Sequence, residues 1–191
     1  MCIRDSYQAI RDVFQYAQST DRIESLWAAR STNYGTEEIP NGIGIPPTEA
    51  VVNFIDNHDV ARFLFGVEDR PITTQRKLLQ NAMSFVFTAQ GIPCLYYGTE
   101  QEFRGGNDPA NREDMWESGF DTTGETFKWA QKLIKIRKQY TALRRGDLSV
   151  VWSTTRTGDE EDSGIFAFQR NGGDTANGYA LVVFNLSLIH I

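Results

Sequence analysis

Cysteine is scarce in this 191-residue chain: Cys2 and Cys94 are the only two, with no C-x-x-C spacing. A disulfide framework and a thiolate zinc or redox motif are therefore excluded as organising principles. Histidine is as rare, with His58 and His190 alone. A zinc-dependent hydrolase needs a second His or Cys beside His58, and neither His190 near the end nor Cys94 inside a predicted strand supplies it, so no metal ligand set is read here. No apolar run approaches the roughly 20 residues of a membrane span. The longest candidates are residues 85–89 and 179–184. The opening MCIRDS lacks the apolar core of a signal peptide. Basic residues are in deficit, 19 against 25 acidic, giving a net charge of −6. That balance argues against nucleic acid and against an anionic membrane face as partners.

What is present is the composition of a folded protein, 40% hydrophobic and 23% charged. Residues 186–191 (LSLIHI) stop inside an apolar, strand-like run. Together with residues 1–6 they read as non-native ends flanking a fragment, and both are set aside in the fold reading.

The periodicity predicts a helix over 7–18, with Ile10, Val13, Phe14 and Ala17 on one face, and a second over 22–29. Gly35, Pro40, Gly42, Gly44, Pro46 and Pro47 mark 31–48 as loop. Residues 50–55 (AVVNFI) and 92–97 (IPCLYY) read as strands buried on both faces. Between them, 73–89 places Leu78, Leu79, Ala82, Met83, Val86 and Phe87 at helical spacing, with Gly91 as a stop. Strand, helix, strand implies a parallel crossover. A loop over 98–121 is too long to be a mere connector. One helix is then predicted over 126–145, with Phe127, Ala130, Leu133, Ile134, Ile136, Tyr140 and Leu143 inward. Strands follow at 148–154, 164–170 and 179–186, the start of a small antiparallel β domain.

In parallel α/β folds ligands bind beyond the carboxyl ends of the strands, which directs attention to the residues after Ile55 and Tyr97. Asp56-Asn57-His58-Asp59 gathers two carboxylates and a histidine at the first strand end, a set suited to acid–base chemistry, transition-state electrostatics or metal binding. The structural alternative is that Asp56 and Asn57 satisfy turn amides and Asp59 caps a helix. After Tyr97, GGNDPANR at 105–112 sets Arg112 near Asp108. That pair suits hydroxyl-rich ligands or phosphate; the alternative is a solvated loop with an Asx turn at Asp108-Pro109. Trp116 and Tyr97 either stack on sugar rings or pack at the rim. The run GDEED at 158–162 has the charge of a calcium loop without its ligand spacing, and reads as an exposed turn.

Phe54-Ile55-Asp56-Asn57-His58-Asp59 resembles the fourth signature region of the α-amylase family of glycoside hydrolases. GIP at 91–93, YYGTEQ at 96–101 and GGNDPANRE at 105–113 are similar, in order and spacing, to the family's segment around and after its eighth barrel strand. The resemblance runs from Tyr7 to about Phe184. It implies an α/β fold in which 7–146 form the last two strands and helices of a (β/α)8 TIM barrel, a partial barrel, and 147–185 begin a truncated antiparallel all-β domain. Residue by residue, it implies that Asp59 is the catalytic, transition-state-stabilising carboxylate. His58 would bond the sugar in the cleavage subsite, and Asp108 and Arg112 would hold a glucose unit further toward the non-reducing end.

The departures from the family pattern matter as much. A retaining mechanism needs a nucleophilic Asp and a general-acid Glu, and in the family these lie on strands that would fall upstream of Tyr7. The inserted domain that usually supplies calcium ligands would lie there too. No cofactor is therefore expected in this chain; any calcium site would belong to the full-length parent. The resemblance thus implies a fragment of a retaining hydrolase of α-1,4-glucosidic bonds, inactive alone. Its partners would be an α-glucan oligo- or polysaccharide and the missing N-terminal part of the same barrel; its compartment stays open, an extracellular or periplasmic parent being compatible with a polymer that does not cross membranes. The alternatives are a fragment of a related α-glucan transglycosylase or sugar isomerase, or a non-catalytic glucan-binding remnant.

Overall fold

The computed structural model describes residues 3–173 and 177–187. Helix α1 (Ile3–Phe14) buries Ile10, Val13 and Phe14 on one face. It starts earlier than its periodicity predicts and stops short of Ala17, whose φ of 53° no helix accepts. Helix α2 (Asp21–Tyr34) runs five residues beyond its predicted end at Ala29 and takes up the start of the predicted loop. Gly35 closes it at φ 83°, its N–H donating to the Ser31 carbonyl. A single turn, α3 (Pro47–Ala50), then leads to β1 (Val52–Asn53).

Helix α4 (Ile72–Thr88) matches its prediction to within a residue at each end, and Leu78, Leu79, Ala82, Met83, Val86 and Phe87 are all buried. It connects β1 to β2 (Ile92–Pro93), which pairs with β1 in parallel, Val52 opposite Ile92 and Asn53 opposite Pro93. The crossover is as expected, but each strand has two residues rather than six, and neither is covered on both faces. Ile92 is 47% exposed, and Cys94 is exposed rather than inside a strand. Each of these strands has one ladder partner among the described residues, and parallel pairing is slightly weaker per residue and found where both faces are covered. Gly91 is not the helix stop, which falls at Ala89. Its role is close approach: at φ 113° a Cβ there would sit 2.4 Å from the Val51 carbonyl oxygen.

The predicted helix over 126–145 is two helices, α5 (Glu125–Gln139) and α6 (Ala142–Arg145). Tyr140 is extended at the break, and across it Arg137 donates to the Leu143 carbonyl at 2.7 Å; Ile134, predicted inward, is exposed within α5. Strands β3 (Asp147–Trp152), β4 (Ile165–Asn171) and β5 (Tyr179–Asn185) form an antiparallel sheet in the order β3-β4-β5. In register, Phe166 faces Phe184 and Phe168 faces Val182, with a bulge in β3 between Val150 and Trp152. One face of this sheet is buried. Its Phe166, Phe168 and Phe184 meet Phe14, Trp27 and Phe85 of α1, α2 and α4, ring centroids 5.2–6.4 Å apart. One core therefore runs across the α/β part and the sheet.

Arg170 of β4 ties the same two parts together. Its buried guanidinium donates to the carbonyls of Thr88, Leu143, Gly146 and Asp147 at 2.8–3.3 Å. Arg137 donates to Phe87, Leu143 and Gly91 carbonyls at 2.7–2.8 Å. Both cations thus sit on the unsatisfied C-terminal carbonyls of α4 and α6, where the helix dipole is negative. Burial first, and their mutual repulsion second, lower the pKa of Arg170 to about 10. Among the described residues no helix is long and apolar enough to cross a membrane.

Candidate active site

The chain leaving β1 buries Phe54, Ile55 and Asp56 and then turns outward. Asp56 is the anchor. One carboxylate oxygen accepts from the Phe63 N–H at 3.1 Å and the other from the Thr99 hydroxyl at 2.8 Å, fixing the loop after β1 to the loop after β2. Burial raises its pKa against the lowering effect of those two donors and of Arg62 and Arg11. Asn57 accepts from the Asp59 N–H at 2.8 Å and bridges to Val60, closing a tight turn. The structural alternative is thus realised for Asp56 and Asn57. It is not for Asp59, since no helix starts there and the next, α4, begins at Ile72.

His58 and Asp59 stand at the apex of this turn, side chains 61% and 67% exposed, with His58 Nε2 3.4 Å from Asp59 Oδ1. The GGNDPANRE loop clamps the turn from the side. Asn111 is buried and its amide donates to the Asn57 and Val60 carbonyls at 3.2 and 2.8 Å. Arg112 donates to the His58 carbonyl at 3.2 Å and pairs with Asp108 at 2.7 Å. The four residues singled out in the sequence, His58, Asp59, Asp108 and Arg112, are thereby brought together. The Asp108 carboxylate engages Arg112 rather than its own turn. Because that pair is about half exposed on both sides, it contributes at most about 1 kcal/mol to stability. Its effect is to hold two polar groups in fixed orientation beside the His58–Asp59 turn.

Sequence reasoning missed the residue beneath them. Arg62 is fully buried, pairs with Glu113 at 2.9 Å and donates to the Tyr97 carbonyl at 2.6 Å. Its guanidinium lies 4.2, 4.9 and 5.4 Å from the ring centroids of Tyr96, Tyr97 and Phe103. Glu113 in turn accepts from the N–H groups of Arg104 and Gly105, both at 2.7 Å. The signal was available: Arg62 is the one charge in the apolar run Val60-Ala61-Arg62-Phe63-Leu64-Phe65, and a charge in such a run must find a partner. Glu102 braces the far end of the loop, accepting from Arg76 at 2.5 Å and Thr126 at 2.7 Å. Burial raises its pKa, but these two donors and the Arg76 charge lower it further, so the net shift is downward.

Gly105 passes so close to Ala110 that a Cβ would lie 1.7 Å from its carbonyl oxygen, so only glycine closes this loop. The run at 158–162 forms an exposed turn over most of its length. Among the described residues no group of three or more His, Cys, Asp or Glu side chains is placed to hold a metal ion. His190 lies outside the described residues.

No protein-family model matches the chain. Over 173 residues it is 34% identical to a β/α-amylase of Paenibacillus polymyxa, a match covering 89% of this chain and 12% of that protein. Over 181 residues it is 30% identical to a cyclomaltodextrin glucanotransferase of Thermoanaerobacterium thermosulfurigenes, covering 95% and 21%. The crystal structure of an Anoxybacillus α-amylase superposes with a TM-score of 0.74 at 25% identity, covering 95% of this chain and 35% of that one. The chain belongs to the α-amylase family. As a segment of that family it spans about a third or less of the length of each of these relatives. The structural neighbours are (β/α)8 barrel proteins, and a parallel β1–α4–β2 unit followed by an antiparallel sheet is consistent with part of such a barrel plus a β domain.

Proposed function

We propose that residues 7–146 are the last two strands and helices of a (β/α)8 barrel and 147–185 the opening of its β domain. The parent is then a retaining glycoside hydrolase that cuts α-1,4-glucosidic bonds in starch-like glucans. The observation that carries this reading is the clamp itself: Asp59 and His58 at the outer end of β1, held against Asp108 and Arg112. An oxocarbenium-like transition state develops positive charge, so a fixed carboxylate at Asp59 stabilises it more than the neutral ground state. His58 hydrogen-bonds the sugar in the cleavage subsite. Asp108 and Arg112 offer an acceptor and a planar donor fork to the hydroxyls of a unit further toward the non-reducing end. Support for the missing barrel portion as partner comes from Val52, Ile92 and Tyr97, exposed apolar side chains on β1, β2 and the chain leaving it.

Retention requires a nucleophile and an acid with carboxyl groups about 5–5.5 Å apart. Upstream of β1, the carboxylates stand in no family motif, and Asp12 and Glu24 are engaged elsewhere, by Gln8 and Arg22 and by Ser153. The chain alone is therefore expected to release no reducing sugar from soluble starch, with Asp59→Asn indistinguishable from the parent sequence. A rate that Asp59→Asn abolishes would overturn this. A second reading, a transglycosylase parent, draws on the likeness to a cyclomaltodextrin glucanotransferase. Product analysis of the extended protein separates the two, since only transfer builds new or cyclic glucosidic linkages.

A further inference from the structure

The loop that carries Asp108 and Arg112 continues into a turn whose composition the clamp does not explain. Trp116 and Phe120 are 66% and 61% exposed there. Burying rings of this size is worth about 1.5–3 kcal/mol each, so a slack loop would tuck them away. This loop is braced against doing so. Met115–Ser118 form a 3-10 turn closed by Gly119 at φ 64°, its N–H donating to the Trp116 carbonyl at 3.0 Å. The Ser118 hydroxyl donates to the Met115 carbonyl at 2.7 Å and accepts from the Phe120 N–H at 3.1 Å. Gln101 donates to the Asp121 carbonyl at 3.0 Å, tying the far side of the turn to the loop after β2. Glu113 and Arg62 fix the near side. Trp116 is four residues past Arg112, at most about 15 Å along the chain.

Charge narrows the choice of occupant. Asp114 and Glu117 flank Trp116 in exposed positions, and no Lys or Arg occurs between Arg112 and Lys128. An anionic ligand is repelled there. A neutral polyhydroxylated chain is not, and the C–H face of a pyranose ring can lie on an indole while its hydroxyls remain in water.

We propose that Trp116, flanked by Phe120, is a stacking platform for a glucosyl unit of the same glucan, beyond the unit held by Asp108 and Arg112. The inference rests on the reading of the site given above. Its consequence is length selectivity: a long oligosaccharide reaches the platform and a short one does not.

The test is the affinity of the whole chain, tethered singly at one end to prevent self-association, for maltotriose and maltoheptaose. Trp116→Ala is expected to weaken maltoheptaose about tenfold and leave maltotriose unchanged. Trp116→Phe should restore most of the loss. Arg112→Ala should weaken both sugars. Normal maltoheptaose affinity in Trp116→Ala, or equal weakening of both sugars, overturns the platform while the Arg112 site stands. If the parent sequence binds neither sugar, or Arg112→Ala binds like it, the site and the platform fall together.

Discussion

Arg62→Met is expected to lower stability by about 3 kcal/mol and to abolish glucan binding at the clamp. Removing one member of a buried ion pair costs about 3–5 kcal/mol. The lower end applies because Glu113 is a quarter exposed and keeps the Arg104 and Gly105 N–H donors once the guanidinium is gone. In a chain of 191 residues that loss corresponds to a melting point lower by about 6–12 °C. Binding fails for a separate reason. The Arg62 side chain draws the Tyr97 carbonyl and Glu113 onto the segment that follows the His58–Asp59 turn, and its backbone N–H donates to the Gly105 carbonyl at 3.0 Å. Without that packing the GGNDPANRE loop no longer holds Arg112 against His58. The double variant Arg62→Met/Glu113→Gln, measured by thermal melting, should cost less than the sum of the single changes, because no uncompensated carboxylate remains. Strict additivity would mean the pair is incidental.

Arg170→Met is expected to cost a similar amount and to release the antiparallel sheet from the rest of the chain. The Thr88, Gly146 and Asp147 carbonyls lose the guanidinium as donor at once, while Leu143 keeps Arg137. Each unsatisfied buried group costs about 1–3 kcal/mol, water or Arg137 recovering part of it, for a net loss of about 3–5 kcal/mol. Arg170→Lys should recover little, since an ammonium has three donors and no planar fork to span carbonyls on two helices and a strand. Hydrogen exchange reads the outcome locally. The amides of β4 and β5 should lose protection at denaturant concentrations where the centre of α4 is still protected. Simultaneous loss everywhere would mean that the aromatic core, and not this arginine, couples the two parts.

Helix α4 was legible in the sequence because Leu78, Leu79, Ala82, Met83 and Val86 recur every three to four residues, and all five are buried in the core. The order of the parallel pair was legible too, but its length was not. An apolar run announces burial, whereas a ladder needs a partner strand, and among the described residues Val52 and Ile92 pair only with each other. The break at Tyr140 left no mark, since no Gly or Pro stands there, and the Arg137 hydrogen bond to the Leu143 carbonyl that spans it joins residues whose pairing no local pattern announces. At the site, motif spacing placed His58, Asp59, Asp108 and Arg112 on two loops, and the clamp that joins the loops was hidden. Asn111 and Arg62 act on partners 35–54 residues away, a distance at which local pattern says nothing. Whether Trp116 packs or projects was open from its sequence, and its exposure decides it.

The decisive measurement is starch hydrolysis by the protein extended upstream of Tyr7 along its own coding sequence, compared with its Asp59→Asn variant. The extension should carry strands bearing an Asp and a Glu, the extended protein should cleave starch, and Asp59→Asn should lower the rate by about 10²–10³-fold, as loss of one transition-state-stabilising group does. An extended protein that cleaves starch equally well without the Asp59 carboxylate would contradict the assignment. So would an upstream sequence that supplies neither acid.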